Sequence, residues 1–164
     1  MGMDLPGPLA ALLNDLGFIW PEIDEVKLLH LGTTWTGMSP SLSGHASEST
    51  AHASTVWTQN EGDAISAFEA AWKSQHGPAT NLANASSSTE IVGVALMGAA
   101  AIVLGLKVNT IAQLAILAAE IIEAIATAPE TFGASLLEIP VFKEISGRAI
   151  GAIINEAINA LMQA

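Results

Sequence analysis

Trp57-Thr58-Gln59-Asn60-Glu61-Gly62-Asp63-Ala64-Ile65-Ser66-Ala67-Phe68-Glu69-Ala70-Ala71-Trp72 carries the clearest structural signal in the chain. Asn60 to Asp63 reads as a turn, because Gly62 is free to take positive φ and Asp63 offers a capping carboxylate. Beyond it Ile65, Phe68 and Trp72 recur at i, i+3 and i+7, one apolar stripe on a fresh helix. Two helices joined by a tight turn make an αα-hairpin. Trp57 stands just before the turn, where its ring can pack across the tip. These aromatics are expected to be core residues, with Phe68 and Trp72 mostly buried against the preceding helix. No ligand box is needed to explain them.

Upstream, Pro21 forces Trp20 out of the α region. Asp24 is a good N-cap, and Glu22 and Glu25 suit the positive end of a helix dipole. Val26, Leu29 and Trp35 can share a face, with Leu28 and Leu31 widening it. Pro40 is expected to kink or interrupt that helix, since it removes a hydrogen bond and crowds the turn before it. Residues 33–58 are rich in Ser, Thr, Ala, Gly and His, a composition that competes for its own backbone. A helix is favoured here because small residues, among them Ala46, Ala51 and Ala53, let two helices approach closely. A Ser/Thr-rich loop is the alternative. Nearer the start, Leu9, Leu12, Leu13 and Leu16 fall at i, i+3, i+4 and i+7, a short amphipathic helix over Pro6 to Gly17. Met1 to Leu13 lacks Lys and Arg and a small-residue cleavage site after an apolar core, so it does not read as a Sec signal peptide.

Downstream, Ser74 to Pro78 should break or kink the second helix, and Ser86 to Glu90 offers an N-cap. Ile91 to Leu106 carries no charge. At 1.5 Å per residue it reaches about 24 Å, short of the roughly 30 Å hydrocarbon core of a bilayer unless Lys107 snorkels. It also lacks the aromatic and basic anchors of a span. Gly93, Gly98 and Gly105 suit a closely packed core helix, which is the favoured reading; a membrane-inserting helix hidden in the soluble form is the alternative. Ile111, Leu114, Ala118, Ile121 and Ile125 follow a heptad-like seam. Pro129 ends the run. Glu130 to Ile139 is a short helix or turn. A last stripe runs through Phe142, Ile145, Ala149, Ala152, Ile153, Ala157 and Leu161.

Of the 164 residues, 51% are hydrophobic and 13% charged, so the chain should fold. The length predicts one domain. There is no cysteine, which excludes disulfides and Cys-ligated metal. Five Lys and Arg face 16 Asp and Glu, for a formal charge of −11, and the cations are scattered singly. No basic patch exists to neutralise phosphates, so nucleic acid is not an expected partner. His45 and His52 are two helical turns apart, about 10.5 Å along the axis, and with Glu48 read as a solvated face. No nucleophile elbow, P-loop or dinucleotide fingerprint is present. Glu120 and Glu123 are expected at the solvent edge of the apolar helix, or opposite Lys143 or Arg148. No catalytic, cofactor-binding or metal residue is assigned.

A helical hairpin with Trp and Gly at its turn, then Ala and Phe on the second helix, resembles the WXG-type type VII secretion substrates. The Gly-x-Ala-x-x-x-Phe spacing is carried by Gly62, Ala64 and Phe68. Trp72 resembles a second Trp of longer actinobacterial relatives. With Leu5-Pro6 and Gly17-Phe-Ile-Trp-Pro-Glu-Ile-Asp-Glu25, the layout is similar to the N-terminal domain of CpnT-like outer membrane channel and polymorphic-toxin proteins. The turn departs from the family spacing. Asn60 occupies the place two before Gly62, and Trp57 lies five before it. No Tyr-x-x-x-Asp/Glu signal follows, since the chain has no Tyr. Relatives that kill cells carry a toxin after such a domain, and none lies within these 164 residues.

The expected fold is all-α: a WXG-like helical hairpin plus long apolar C-terminal helices in an elongated bundle. One helical domain is expected over 1–164, divided into 1–22 (N-terminal helix and linker), 23–84 (hairpin), 85–128 (long apolar helix) and 129–164 (C-terminal helices). The resemblance implies a non-enzymatic secretion substrate or delivery module acting through helix–helix association, exported without a signal peptide to the surface or medium. Otherwise the protein is cytoplasmic. A pore-forming protein inserting 91–128, or a structural oligomerisation module, are the alternatives. The hairpin motif is Trp57, Gly62, Ala64, Phe68 and Trp72. Two wide apolar surfaces, 91–128 and 141–163, find few large side chains upstream to cover them. A homo-oligomer or a complex with a small helical partner is therefore expected, with Ile111, Leu114, Ile121, Ile125, Ile145, Ile153 and Leu161 in or beside the contact.

Overall fold

The computed structural model describes residues 2–163, and no strand is present among them. Five α-helices follow in order: α1 (Gly7–Asp15), α2 (Glu25–Gln59), α3 (Asp63–Trp72), α4 (Pro78–Thr127) and α5 (Ile139–Gln163). A 3-10 turn, Ala134–Glu138, precedes α5. The all-α expectation holds. Packing divides the chain into two compact units, residues 28–97 and residues 1–27 with 98–164.

In the 28–97 unit the Ser/Thr-rich stretch is helix, and α2 runs unbroken through Pro40. The expected interruption does not occur. Pro40 lies on the exposed face of α2, the side on which a helix can open toward water without losing packing. The hydroxyls that compete for backbone are satisfied inside the helix. Thr34, Ser47, Thr50 and Thr58 each donate to the carbonyl four residues back, at 2.8–3.0 Å. Gly32, Ser39, Leu42, Ala46, Ser49, Ala53 and Val56 form the inward stripe, at close to a 3.5-residue period. Of the alanines singled out above, Ala46 and Ala53 are buried and Ala51 is exposed.

The partner stripe on α4 begins earlier than the sequence suggests. Instead of starting near residue 85, α4 starts at Pro78, where the ring's fixed φ suits a first helical turn. Ala79, Leu82, Ser86, Thr89, Gly93 and Leu96 face inward. Ser86 is no N-cap: its hydroxyl is buried and donates to the Ser39 carbonyl at 2.8 Å. The polar, small stretch 81–89 is thus part of the helix rather than its lead-in, with Ser86 and Thr89 on its packing face and Asn81, Asn84, Ser87 and Ser88 in solvent.

In the other unit, Leu13 of α1, Leu114 of α4 and Ile150 of α5 form a core that Leu9, Phe18, Trp20 and Ile154 extend. Gly17 closes α1 at φ +82, with the Phe18 N–H donating to the Leu13 carbonyl at 3.1 Å, a Schellman closure. Asp24 caps α2 as expected, accepting from the Lys27 N–H at 3.0 Å. That bond holds the Asp24 carboxyl below its usual pKa.

Lys107 is the residue the sequence misplaces most. It does not snorkel outward; it is buried and donates to Glu25 Oε2 at 2.8 Å and to the Ile23 carbonyl at 2.7 Å. Its ammonium stands 5.7 Å from the centre of the Trp20 ring. Glu25 also accepts from the Met3 N–H. Each Glu25 oxygen thus accepts a hydrogen bond and the Lys107 ammonium donates two, the kind of additional bonding that a buried pair of charges needs.

Candidate functional site

The hairpin motif assembles around the α2–α3 turn. Gly62 takes φ +125, a backbone region that a side chain disfavours, and its carbonyl accepts from the N–H groups of Ile65 and Ser66 at 3.0 Å. That glycine sets the direction in which α3 leaves α2. Trp57 from α2 and Phe68 from α3 then meet with ring centroids 5.8 Å apart and planes tilted by 45°. Phe68 and Trp72 repeat the arrangement at 5.8 Å and 44°. The three rings form a ladder in the tilted geometry that the ring quadrupole favours. Lys73 places its ammonium 5.4 Å from the Trp57 ring centre while bonding Glu69 at 2.5 Å.

The ladder is less buried than the spacing predicts. No residue of α3 is fully buried, and Phe68 is 37% exposed. Trp57 and Trp72 are half-buried. The reason is length: α3 has ten residues, too few to wrap its stripe in a second layer. Ala64 is exposed. The indole N–H of Trp72 is buried without an acceptor. Trp57, Phe68 and Trp72 therefore come together at the turn that Gly62 sets, a braced and partly open tip, while Ala64 faces solvent beside it. Lys73, the cation over Trp57, was not singled out from the sequence; its place one residue past the apolar stripe was the available signal.

The seven expected contact residues separate. Leu114 is 0% exposed, locked between α1 and α5, and is core rather than interface. Sequence periodicity sees an apolar seam but not the N-terminal helix that covers it. Ile111, Ile121 and Ile153 are half-buried, Ile153 lining a cleft of about 200 Å³ with Leu106, Asn109 and Glu156. Ile125, Ile145 and Leu161 are exposed. On α5 the inward residues are Ser146, Ile150 and Ala157, so the true inner face is rotated from the stripe through Ile145 and Leu161. Leu104, Val108, Ile116 and Ile122 add exposed apolar surface on α4.

Glu120 and Glu123 line a cleft of about 190 Å³ with Glu138 and Phe142. Neither pairs with Lys143 or Arg148, which bond Asp15 and Glu144 instead. His45 and Glu48 are exposed and 3.7 Å apart, a solvated pair. No group of three or more potential metal ligands occurs among the described residues.

The family model for the WXG100 like domain matches residues 5–146, which takes in the hairpin tip, α1 and the whole of α4. No curated protein and no solved structure matches the chain.

Proposed function

Because this chain belongs to the WXG100-like family, whose members are helical proteins associated with type VII secretion, we propose that it is a non-enzymatic export substrate or delivery module that works by helix–helix association. Members of the family leave the cell without a signal peptide. The observation that carries the reading is the α2–α3 tip, where Gly62 sets the turn and Trp57, Phe68 and Trp72 brace it. A braced tip is a surface that a secretion component can read as a fixed shape. The CpnT-like layout of the first 25 residues supports a role in delivering a channel or toxin. Export is tested by expressing the chain in a type VII-competent actinobacterium and measuring its share in the culture filtrate. Wild-type protein is expected in the filtrate together with a small helical partner. Trp57→Ala, with helicity retained, is expected to stay in the cells. Equal export of the two would remove the tip from the mechanism, and no export of wild type would remove the reading.

A second reading rests on α4. This helix is long and apolar enough to cross a membrane: an 18-residue window has a mean hydropathy of 2.3, and only 22% of that window is buried. On this reading the 91–128 segment inserts once the protein is delivered. Dye release from phosphatidylcholine vesicles measures it, and intact vesicles at micromolar protein count against it.

A further inference from the structure

The α4–α5 turn presents large apolar side chains to solvent from an ordered backbone. Phe132 is 100% exposed and Leu137 78% exposed, with Leu136 exposed beside it in the 3-10 turn. The exposure is not that of a loose loop. The Gly133 N–H donates to the Ala128 carbonyl at 2.8 Å, Thr131 Oγ1 to the Thr127 carbonyl at 3.0 Å, and the buried Ser135 Oγ to the Ala124 carbonyl at 2.7 Å. The turn is tied to the end of α4, and Phe132 is held at φ +51, where a bulky aromatic is a rare occupant. Asn or Gly fits that backbone better. A strained, fully exposed phenylalanine has no packing role within its own chain.

The charges around it say what covers it. Glu120, Glu123 and Glu138 line the cleft between the last two turns of α4, the end of the 3-10 turn and the start of α5, and Glu130 lies two residues before Phe132. None of the four has a cationic partner among the described residues. Among the described residues the Lys and Arg side chains are each already paired: Lys27, Lys73, Lys107, Lys143 and Arg148 with Asp24, Glu69, Glu25, Asp15 and Glu144. A second copy brings the same four carboxylates and the same committed cations, so like charges would meet. An anionic lipid surface fails for the same reason. Complementary charge has to come from a different molecule.

We propose that the α4–α5 turn is a docking tip for a protein partner whose apolar pocket, bordered by Lys or Arg side chains, receives Phe132 and Leu137. The aromatic fills the pocket, and the four carboxylates meet the basic rim, steering approach and fixing orientation.

The test uses the full chain and a fluorescein-labelled synthetic helical peptide with leucines on one face and lysines bordering them. Binding is read by anisotropy in 0.15 M NaCl. Wild type is expected to bind, and a glutamine-for-lysine peptide to bind at least tenfold more weakly. Phe132→Asn and Leu137→Asn are each expected to weaken the lysine peptide about tenfold, and Glu130→Gln with Glu138→Gln about threefold. Ile158→Asn, an exposed apolar site outside the turn, should leave affinity unchanged. The melting temperature of Phe132→Asn should hold or rise, which separates lost docking from lost folding. The proposal is overturned by no binding, by equal binding of Phe132→Asn, or by an equal loss in Ile158→Asn, which would mean adhesion to a generally acidic surface. Phe132-dependent binding to phosphatidylcholine vesicles, or Phe132-dependent dimers in sedimentation, would also overturn it in favour of a membrane or a second copy.

Discussion

A Cβ atom built on Gly93 would lie 2.7 Å from the carbonyl oxygen of Gly32, and one built on Gly32 would lie 2.8 Å from the carbonyl oxygen of Gly93. The two backbones touch where α2 and α4 cross, and the contact excludes every other residue type. Gly93→Ala also meets the Thr36 N at 2.7 Å, so relief requires a shift of backbone rather than of a side-chain end. An overpacking cost of about 1–3 kcal/mol is expected. Gly98, a turn and a half later in α4, has nothing within 4 Å of its Cβ position. There Gly98→Ala should stabilise by about 0.5–1 kcal/mol through helix propensity. Urea melts of the two variants should move in opposite directions; a shared direction would contradict the close crossing.

Lys107 and Glu25 make the second prediction. Lys107→Met leaves a buried carboxylate without its partner, which costs about 3–5 kcal/mol. Adding Glu25→Leu removes the orphaned charge and should recover most of that loss. The pair also sets an acid limit. The Lys107 hydrogen bond holds the Glu25 carboxyl below its ordinary value of 4.5. A depressed folded-state pKa gives stability that is present above the unfolded value and is lost as pH falls from there through the folded value. Denaturant midpoints of the wild type should therefore fall below about pH 4.5, and those of the double variant should fall less. Parallel curves would show that the pair is not the acid-sensitive element.

At the hairpin tip, partial exposure lowers the expected cost of truncation. Phe68→Ala loses two ring pairs worth about 0.5–1.5 kcal/mol each, so a total of about 1–3 kcal/mol is expected rather than the loss of a full core position. Gly62→Val places a β-branched residue at φ +125 and should cost about 1–3 kcal/mol. Thermal melts followed by near-ultraviolet tryptophan signals report both.

Association should separate from folding. Ile125→Glu and Ile145→Glu change exposed residues, and are expected to shift the protein toward monomer in light scattering while leaving the melting temperature within a few degrees. Leu114→Ala, at a fully buried site, should instead cost about 2–5 kcal/mol. A wild type that is monomeric at every dilution would show that the exposed isoleucines are not a contact.

Much of the helical layout was legible because it rests on local chemistry. Gly62 at the turn, the Ile65-Phe68-Trp72 stripe, Asp24 at the start of α2 and Pro129 after α4 each act within a few residues, whereas Asp63 does not cap α3 as expected: Gly62 holds the N-cap position and Asp63 is already the first helical residue. Pro40 misled because its cost depends on which face it occupies, and an exposed face tolerates it. The start of α4 misled because a buried Ser86 and a capping Ser86 have the same neighbours in sequence.

The helices, their punctuation and the hairpin turn follow from backbone preferences that act within a few residues, and the large acidic excess follows from counts alone. Which apolar residues stay exposed was settled by packing. Leu114 and Ile125 belong to one periodic seam, yet the first is sealed under α1 and α5 and the second is open to water. Packing likewise decided that the lone Lys107 turns inward, because an ammonium is stable in a core only where a carboxylate and a carbonyl from 80 or more residues away arrive to bond it. Periodicity reports that a face is apolar. What covers it depends on contacts between residues distant in sequence, and those are set when the helices pack.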